Sequence, residues 1–137
     1  LASSMHILIV DDSDVACNQI KRCVEGIGVK ATALNDGRQA LSYLQALADE
    51  GVNVANEFLA VISDIEMPEM DGYTLTAAIR ADPRLADLYV VLHSSLSGGF
   101  NQAMVNKVGA NAFLSKFLPD QLAAIIVKRV ASKGYSG

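Results

Sequence analysis

Short apolar runs and amphipathic stretches alternate along the whole chain. Five apolar runs bounded by polar or turn-forming residues predict strands over residues 6–10, 29–34, 59–62, 89–92 and 112–114. Between and after these runs, apolar side chains recur every three or four positions, which predicts five helices. Regular alternation of strand and helix predicts an α/β fold, in which a doubly wound, five-stranded parallel sheet carries helices on both faces.

Capping and helix-stopping residues mark the ends of the predicted helices. Ser13 or Asp14 is the expected N-cap of the first helix. A helix over residues 72–81 is expected to stop at the Asp-Pro dipeptide that follows it. The polar stretch 49–58 is predicted to be a long loop between the second helix and the third strand.

Length, composition and charge restrict the classes of protein to consider. The 137 residues, of which 51% are hydrophobic, suit one globular domain with a buried core. Leu1–Ser4 precede the first methionine and are expected to be an expression remnant, so the predicted domain covers residues 5–132. The net charge is −4, and no apolar run approaches the ~20 residues that span a bilayer. We therefore expect no nucleic-acid partner and no membrane insertion.

The two cysteines lie on the same predicted helix. Cys17 and Cys23 are six positions apart, a spacing that suits neither a helical metal-ligand pair nor a short disulfide. Both are interpreted as reduced packing residues, which predicts a cytoplasmic protein.

Five polar side chains follow the ends of four predicted strands. Asp11 and Asp12 follow the first strand, Asp64 ends the third, and Ser94 and Lys116 follow the fourth and fifth. Taken singly, each has an ordinary explanation as a helix cap, a loop serine or a surface lysine. Because the carboxyl ends of parallel strands share one edge of the sheet, all five are expected to converge there.

The combination of these groups indicates phosphoryl-transfer chemistry. Three carboxylates repel one another and require a cation, and an all-oxygen ligand set suits Mg²⁺. A lysine and a hydroxyl beside Mg²⁺ can neutralise the oxygens of a phosphoryl group. A carboxylate can itself be the nucleophile and form an acyl phosphate, and the central Asp64 is the expected acceptor. His93 is interpreted as a packed or hydrogen-bonded strand-end histidine and is assigned no function.

These residues resemble a known family. The span from Ile7 to about Ala131 is similar to the receiver domains of two-component response regulators of the CheY type. The resemblance implies a flavodoxin-like sheet with strand order 2-1-3-4-5 and five helices.

The resemblance also implies a role for each metal-site residue. Asp64 would be the phosphoacceptor and, with Asp12, a direct ligand of Mg²⁺, for which Mn²⁺ could substitute. Asp11 would act through a metal-bound water, and Glu66 through its backbone carbonyl.

Three further residues match the switch that receivers use. Ser94 would bond the phosphoryl group, and Lys116 would pair with its charge. Phe113 would be the aromatic residue that turns inward on activation. The surface formed by the predicted fourth helix, fifth strand and fifth helix would then change.

A closer resemblance lies within this family. The segments Ser63–Tyr73, His93–Gly98, Lys107–Ala110 and Phe113–Phe117 are similar to the receiver domain of the chemotaxis coupling protein CheV. This similarity implies a histidine kinase of the CheA type as phosphoryl donor. It also implies a CheW-like domain upstream in the full-length protein, and a chemoreceptor array as its setting. Such a domain is not an enzyme beyond catalysing its own phosphorylation and dephosphorylation.

Two residues depart from the usual receiver pattern. Phe117 stands where receivers carry a proline after the lysine, preceded by a cis peptide. A cis bond before a non-proline residue costs ~2.5–4 kcal/mol, so both a cis and a trans Lys116–Phe117 peptide stay open. Ser94 stands in place of the commoner threonine, which keeps the hydroxyl but leaves χ1 freer.

Two alternatives come from other functional classes. Asp12-Ser13-Asp14-Val15 after an apolar strand matches the signature of haloacid-dehalogenase phosphohydrolases, with Asp12 as nucleophile and Asp14 as acid. That alternative leaves Asp64 without a function. The second is a receiver-like module that binds a partner without being phosphorylated.

Overall fold

The computed structural model describes residues 6–67, 69–94, 102–114 and 119–132. Its strands are β1 His6–Val10, β2 Lys30–Leu34, β3 Phe58–Asp64, β4 Val90–His93 and β5 Ala112–Leu114. Its helices are α1 Asp14–Gly26, α2 Gly37–Asp49, α3 Val54–Glu57, α4 Gly72–Ala81, α5 Gln102–Val108 and α6 Pro119–Ser132.

All five strands form one parallel sheet in the order β2-β1-β3-β4-β5. This order confirms the 2-1-3-4-5 arrangement that the family resemblance implied. The register sets Val10 beside Ser63, and Asp64 beside His93. The carboxyl ends of β1, β3 and β4 therefore meet at one edge.

The described residues contain six helices rather than the five predicted. The additional helix, α3, is a single turn inside the stretch 49–58 that was predicted to be a loop. Val54 in this turn is fully buried and belongs to the core. One turn is too short to show a helical repeat of apolar residues, so the sequence pattern could not reveal it.

The predicted N-cap of α1 forms, and α4 has a side-chain cap as well. The Ser13 hydroxyl accepts a hydrogen bond from the backbone N–H of Ala16 at 3.3 Å, which makes Ser13 the N-cap of α1. Asp71 caps α4 by accepting from the N–H of Thr74 at 2.7 Å. Each cap pairs an amide that the helix itself leaves without an acceptor.

The core has two parts, because successive residues of a strand point to opposite faces of the sheet. Leu8 and Val10 pack on one face with residues of α2 and α4, and Ile7 and Ile9 pack on the other with residues of α1 and α6. All seven residues of β3 are buried. As the central strand, β3 is covered on both faces, so Asp64 at its end is held by a rigid element.

Within the described part of the chain, every helix falls short of the length and apolarity that crossing a membrane requires.

Candidate functional site

The backbone ladder of the sheet continues into the loops that carry the polar residues. The amide of Asp11 donates to the carbonyl of Leu34 at 3.0 Å, and that of Ile65 donates to the carbonyl of His93 at 2.9 Å. The Ser94 amide similarly reaches the Leu114 carbonyl at 3.2 Å. These bonds join the end of β1 to that of β2, the end of β3 to that of β4, and the end of β4 to that of β5.

Asp11, Asp64 and His93 form a buried centre at this edge, and these residues are 1%, 2% and 3% exposed. One ligand atom from each of the three lies within 4.8 Å of the others. His93 Nε2 is 3.3 Å from Asp11 Oδ2. The structure thus brings together two residues that the sequence assigned to the site and one that it did not.

Several polar side-chain atoms of this centre lack hydrogen bonds, although Asp11 Oδ1 accepts one from the amide of Ser13 at 2.9 Å. Among the described residues, the buried side-chain nitrogen and oxygen atoms without a hydrogen-bond partner are Asp11 Oδ2, Asp64 Oδ1 and both ring nitrogens of His93. Buried polar groups in native proteins are almost always paired. Their concentration at one point indicates a site that receives a further charged group.

The electrostatics of Asp64 agree with this interpretation. Burial, reinforced by the charge of Asp11, raises the pKa of Asp64 from 3.8 to about 6. Two carboxylates in one desolvated space disfavour each other's ionised form, and a positive charge between them removes that penalty.

A divalent cation fits the two unpaired carboxylate oxygens. Asp11 Oδ2 and Asp64 Oδ1 are the hard oxygen donors that Mg²⁺ prefers. Asp12, predicted to be a direct ligand, has an exposed side chain and does not belong to the buried group of three. Its role as a ligand stays a prediction.

Ser94 and Glu66 are in direct contact. Ser94 is fully buried, and its hydroxyl donates to Glu66 Oε1 at 2.8 Å. The sequence assigned Glu66 a role only through its backbone carbonyl and did not foresee this side-chain contact. Nothing in the spacing of the two residues indicated it, since they lie on separate loops.

Of the remaining predicted site residues, the structure describes Phe113 but not Lys116. Lys116 and the following Phe117 lie outside the described residues, as does the peptide bond between them. Phe113 lies on β5 opposite Leu92 and packs, partly buried, against the first part of the core. Its role as a switch stays a prediction.

The backbone of Asp11 is held from two sides. Its carbonyl oxygen accepts from Cys17 Sγ at 3.3 Å and from Asn35 Nδ2 at 3.1 Å. Asn35 Nδ2 also donates to the exposed carboxylate of Asp14 at 3.1 Å. Cys17 is buried in the second part of the core, and burial raises the pKa of its thiol to about 11. These contacts make Cys17 a packing residue that supports the loop after β1.

His93 is the site residue that sequence reasoning missed. The signal was its place immediately before Ser94, at the end of a strand whose neighbour ends in Asp64. A histidine at a strand end is unremarkable alone, and only the register of β3 against β4 brings it to the carboxylates.

Comparison with known proteins gives a consistent family assignment. The profile of the response regulator receiver domain matches residues 7–127. The chemotaxis protein CheV3 of Helicobacter pylori is 32% identical over 124 residues, which cover 90% of this chain and 40% of CheV3. The predicted similarity to CheV is thereby confirmed, and this chain spans about two fifths of the length of that relative.

Solved structures show the same fold. The receiver domain of a signal transduction histidine kinase from Syntrophus aciditrophicus superposes with a TM-score of 0.77 at 26% identity, covering 96% of this chain and 94% of that one. The receiver domain of the sensor histidine kinase PA1611 from Pseudomonas aeruginosa PAO1, with a magnesium ion coordinated in its active site cleft, gives 0.74 at 23% identity. That comparison covers 92% of this chain and 97% of the other. The match over residues 7–127, the strand order and the acidic edge all agree: the chain belongs to the response regulator receiver domain family.

Proposed function

We propose that this domain is a Mg²⁺-dependent phosphoacceptor that takes a phosphoryl group onto Asp64 from a histidine kinase of the CheA type. The observation that carries the proposal is the buried pair of Asp64 and Asp11, each with a carboxylate oxygen that lacks a hydrogen-bond partner. A rigid, desolvated carboxylate at the end of the central strand is suited to act as a nucleophile. A receiver domain signals by its own modification, so no separate substrate is turned over.

Asp64 acts as the nucleophile in the proposed reaction. One of its oxygens attacks the phosphorus of a phosphohistidine, so an O–P bond forms as the P–N bond breaks. The leaving imidazole keeps the electron pair and takes up a proton. Only the deprotonated carboxylate can attack. Because the pKa of Asp64 is about 6, most of the protein carries this form at neutral pH.

Asp11 and Asp64 would hold Mg²⁺ through their unpaired oxygens, with Asp12 and the backbone carbonyl of Glu66 completing the predicted set. The bound ion, or Mn²⁺ in its place, supplies positive charge that offsets the phosphoryl oxygens in this acidic centre. The solved receiver of the kinase PA1611, which has magnesium coordinated in its cleft, supports this part of the proposal.

The response to phosphorylation starts from the contact between Ser94 and Glu66. To bond the phosphoryl group, the Ser94 hydroxyl leaves Glu66 Oε1, its acceptor at 2.8 Å. Lys116 pairs with the new charge, and Phe113 turns inward from its partly buried position. The changed surface is the one formed by α5, β5 and α6, which correspond to the predicted fourth helix, fifth strand and fifth helix.

The similarity to CheV3 supports a role in bacterial chemotaxis. In this proposal residues 5–132 form the receiver of a larger cytoplasmic protein with a CheW-like domain upstream, positioned at a chemoreceptor array. Neither nucleic acid nor the membrane interior is a partner.

The test is intact-protein mass after incubation with acetyl phosphate, with and without Mg²⁺. We expect one added phosphoryl group on the wild type, dependent on Mg²⁺, and none on Asp64→Asn. Asp71→Asn is the matched control, because it neutralises a nearby exposed carboxylate while an asparagine still caps α4. Equal uptake by Asp64→Asn would overturn the assignment.

The two alternatives give different results in the same assay. Steady release of phosphate from an aryl phosphate, lost in Asp12→Asn, would support the phosphohydrolase. A folded wild type that takes up no phosphoryl group at saturating Mg²⁺ would support the phosphorylation-independent binding module.

A further inference from the structure

His93 has no role in the proposed phosphoryl transfer, yet it lies inside the acidic centre. Its side chain is 3% exposed, and neither ring nitrogen makes a hydrogen bond to the described part of the chain. Leaving a buried donor or acceptor unpaired is destabilising by about 1–3 kcal/mol. Mg²⁺ is bound through oxygen and does not explain an imidazole at this position.

The ligand atoms of the three side chains are only slightly farther apart than the ligands of one bound metal ion. His93 Nε2 is 3.3 Å from Asp11 Oδ2, and one atom from each of His93, Asp11 and Asp64 lies within 4.8 Å of the others. Transition-metal bonds to imidazole nitrogen and carboxylate oxygen are about 2.0–2.2 Å long. Two ligands of one ion are therefore at most about 4.4 Å apart, so small side-chain rotations would complete the set.

We propose that His93 makes this centre a mixed nitrogen and oxygen site that binds a divalent transition-metal ion, such as Zn²⁺ or Co²⁺, together with Asp11 and Asp64. All three donor atoms are buried and without hydrogen-bond partners among the described residues. An imidazole selects these ions over Mg²⁺, and sites of this kind follow the Irving–Williams order. The inference uses two carboxylates of the proposed phosphorylation site but does not depend on phosphoryl transfer.

Zn²⁺ at this centre would compete with Mg²⁺. An ion bound through Asp64 Oδ1 occupies the phosphoacceptor and takes the place that Mg²⁺ would use. Zn²⁺ is therefore expected to slow phosphoryl uptake from acetyl phosphate in the wild type, and excess Mg²⁺ to restore it.

The first test compares metal affinities by calorimetry in protein without a histidine tag. Wild type is expected to bind Zn²⁺ at one site at least ~10-fold more tightly than Mg²⁺. His93→Leu is expected to lose ~10–100-fold in Zn²⁺ affinity with its Mg²⁺ affinity changed less than ~3-fold. His6→Leu is the matched control, since His6 is the other histidine of the chain and is bonded to Thr32 Oγ1 at 2.5 Å, at the amino end of β1.

The second test uses the wild type and so does not depend on the folding of a variant. Imidazole ¹H–¹⁵N resonances of His93 are expected to shift when one equivalent of Zn²⁺ is added, while those of His6 stay in place. Unmoved His93 resonances at saturating Zn²⁺, or equal Zn²⁺ affinity of wild type and folded His93→Leu, would overturn the inference.

The two proposals fail separately. A protein that binds Zn²⁺ through His93 but takes up no phosphoryl group with Mg²⁺ contradicts the proposed function and keeps this inference. Mg²⁺-dependent uptake that Zn²⁺ does not slow, in a protein without a Zn²⁺ site, contradicts the inference and keeps the proposed function.

Discussion

The carboxylate of Asp64 lies where its ionisation is unfavourable. It lies at the end of a strand that is buried along its whole length, and it faces a second buried carboxylate, Asp11. In the proposed reaction this rigid and poorly solvated carboxylate is the nucleophile, and a bound cation would balance its charge. The same environment makes the fold less stable whenever Asp64 is ionised.

The first prediction concerns this destabilisation and its pH dependence. The folded pKa of Asp64 is about 6 against an ordinary 3.8, so as the pH rises the unfolded chain loses this proton first. Folding stability therefore falls between about pH 4 and pH 6, by ~1.4 kcal/mol per unit of pKa difference. Asp64→Asn removes the charge, so at pH 7.5 in EDTA we expect it to be about 1–3 kcal/mol more stable than wild type.

Urea unfolding followed by circular dichroism at pH 7.5 and at pH 4 measures this effect. The advantage of Asp64→Asn should be much smaller at pH 4, where the folded chain carries the proton and the unfolded chain is already about half protonated. Asp71→Asn should not gain stability at pH 7.5, because the Asp71 carboxylate is exposed and caps α4. A pH-independent advantage for Asp64→Asn would contradict the explanation by charge burial.

The second prediction concerns the hydrogen bond between Ser94 and Glu66. Because the resting hydroxyl is engaged by Glu66 Oε1 at 2.8 Å, that bond must break before Ser94 can bond a phosphoryl group. A single such bond contributes about 1 kcal/mol net. Glu66→Ala should therefore speed phosphoryl uptake from acetyl phosphate by up to ~5-fold, measured by intact mass over time.

A second carboxylate on the same loop provides the control. Glu69 is exposed, and its carboxylate pairs with Arg38 at 3.3 Å. Glu69→Ala should leave the uptake rate unchanged. A slower Glu66→Ala would instead mean that Glu66 positions the serine for catalysis.

Helix α4 is joined directly to the loop that follows Asp64. The amide of Gly72 donates to the carbonyl of Ile65 at 2.9 Å. A Cβ at this position would lie 3.0 Å from Ile65 Cα and would collide with the carbonyl oxygen of Asp64. The first turn of α4 can approach β3 this closely only because residue 72 has no side chain.

The third prediction follows from this close approach. Gly72→Ala forces α4 away from β3, and we expect a loss of about 1–3 kcal/mol in unfolding free energy, together with slower phosphoryl uptake. Gly26→Ala is the matched control, because a Cβ at the end of α1 meets nothing within 4 Å. Alanine there should be neutral or stabilising by up to ~1 kcal/mol. If both variants unfold at the same urea concentration, the proposed clash does not exist.

The elements show what the sequence could and could not predict. The periodicity of apolar residues was sufficient for the five strands and for helices as regular as α1 and α4. It missed α3, whose single turn has no periodicity, and it could not order the strands, which the resemblance to receivers supplied. For the site, strand ends identified Asp11 and Asp64, whereas His93 and the Glu66 side chain became meaningful only through contacts between separate segments.

For the whole domain, cation binding between Asp11 and Asp64 would stabilise the complete fold. Asp11 follows β1 and Asp64 ends β3, so their unpaired oxygens meet only when the sheet is assembled. An unfolded chain has no such pair. A cation that binds between them therefore binds the folded state alone, and its binding free energy is added to the stability of the complete fold.

The fourth prediction is that Mg²⁺ raises the urea midpoint of the entire domain without changing the slope of the transition. A ligand present at ten times its dissociation constant stabilises the folded state by about 1.4 kcal/mol. The gain should be largest at neutral pH, where Asp64 is ionised, and small at pH 4, where the proton already neutralises it. It should also be strongly reduced in Asp11→Asn and in Asp64→Asn, because each variant removes one charged oxygen ligand.

NaCl at matched ionic strength separates binding from general screening, since screening would raise the midpoints of wild type and both variants alike. A midpoint that Mg²⁺ leaves unchanged in the wild type at neutral pH would mean that the two carboxylates do not hold the ion, and would redirect the search for their partner to His93.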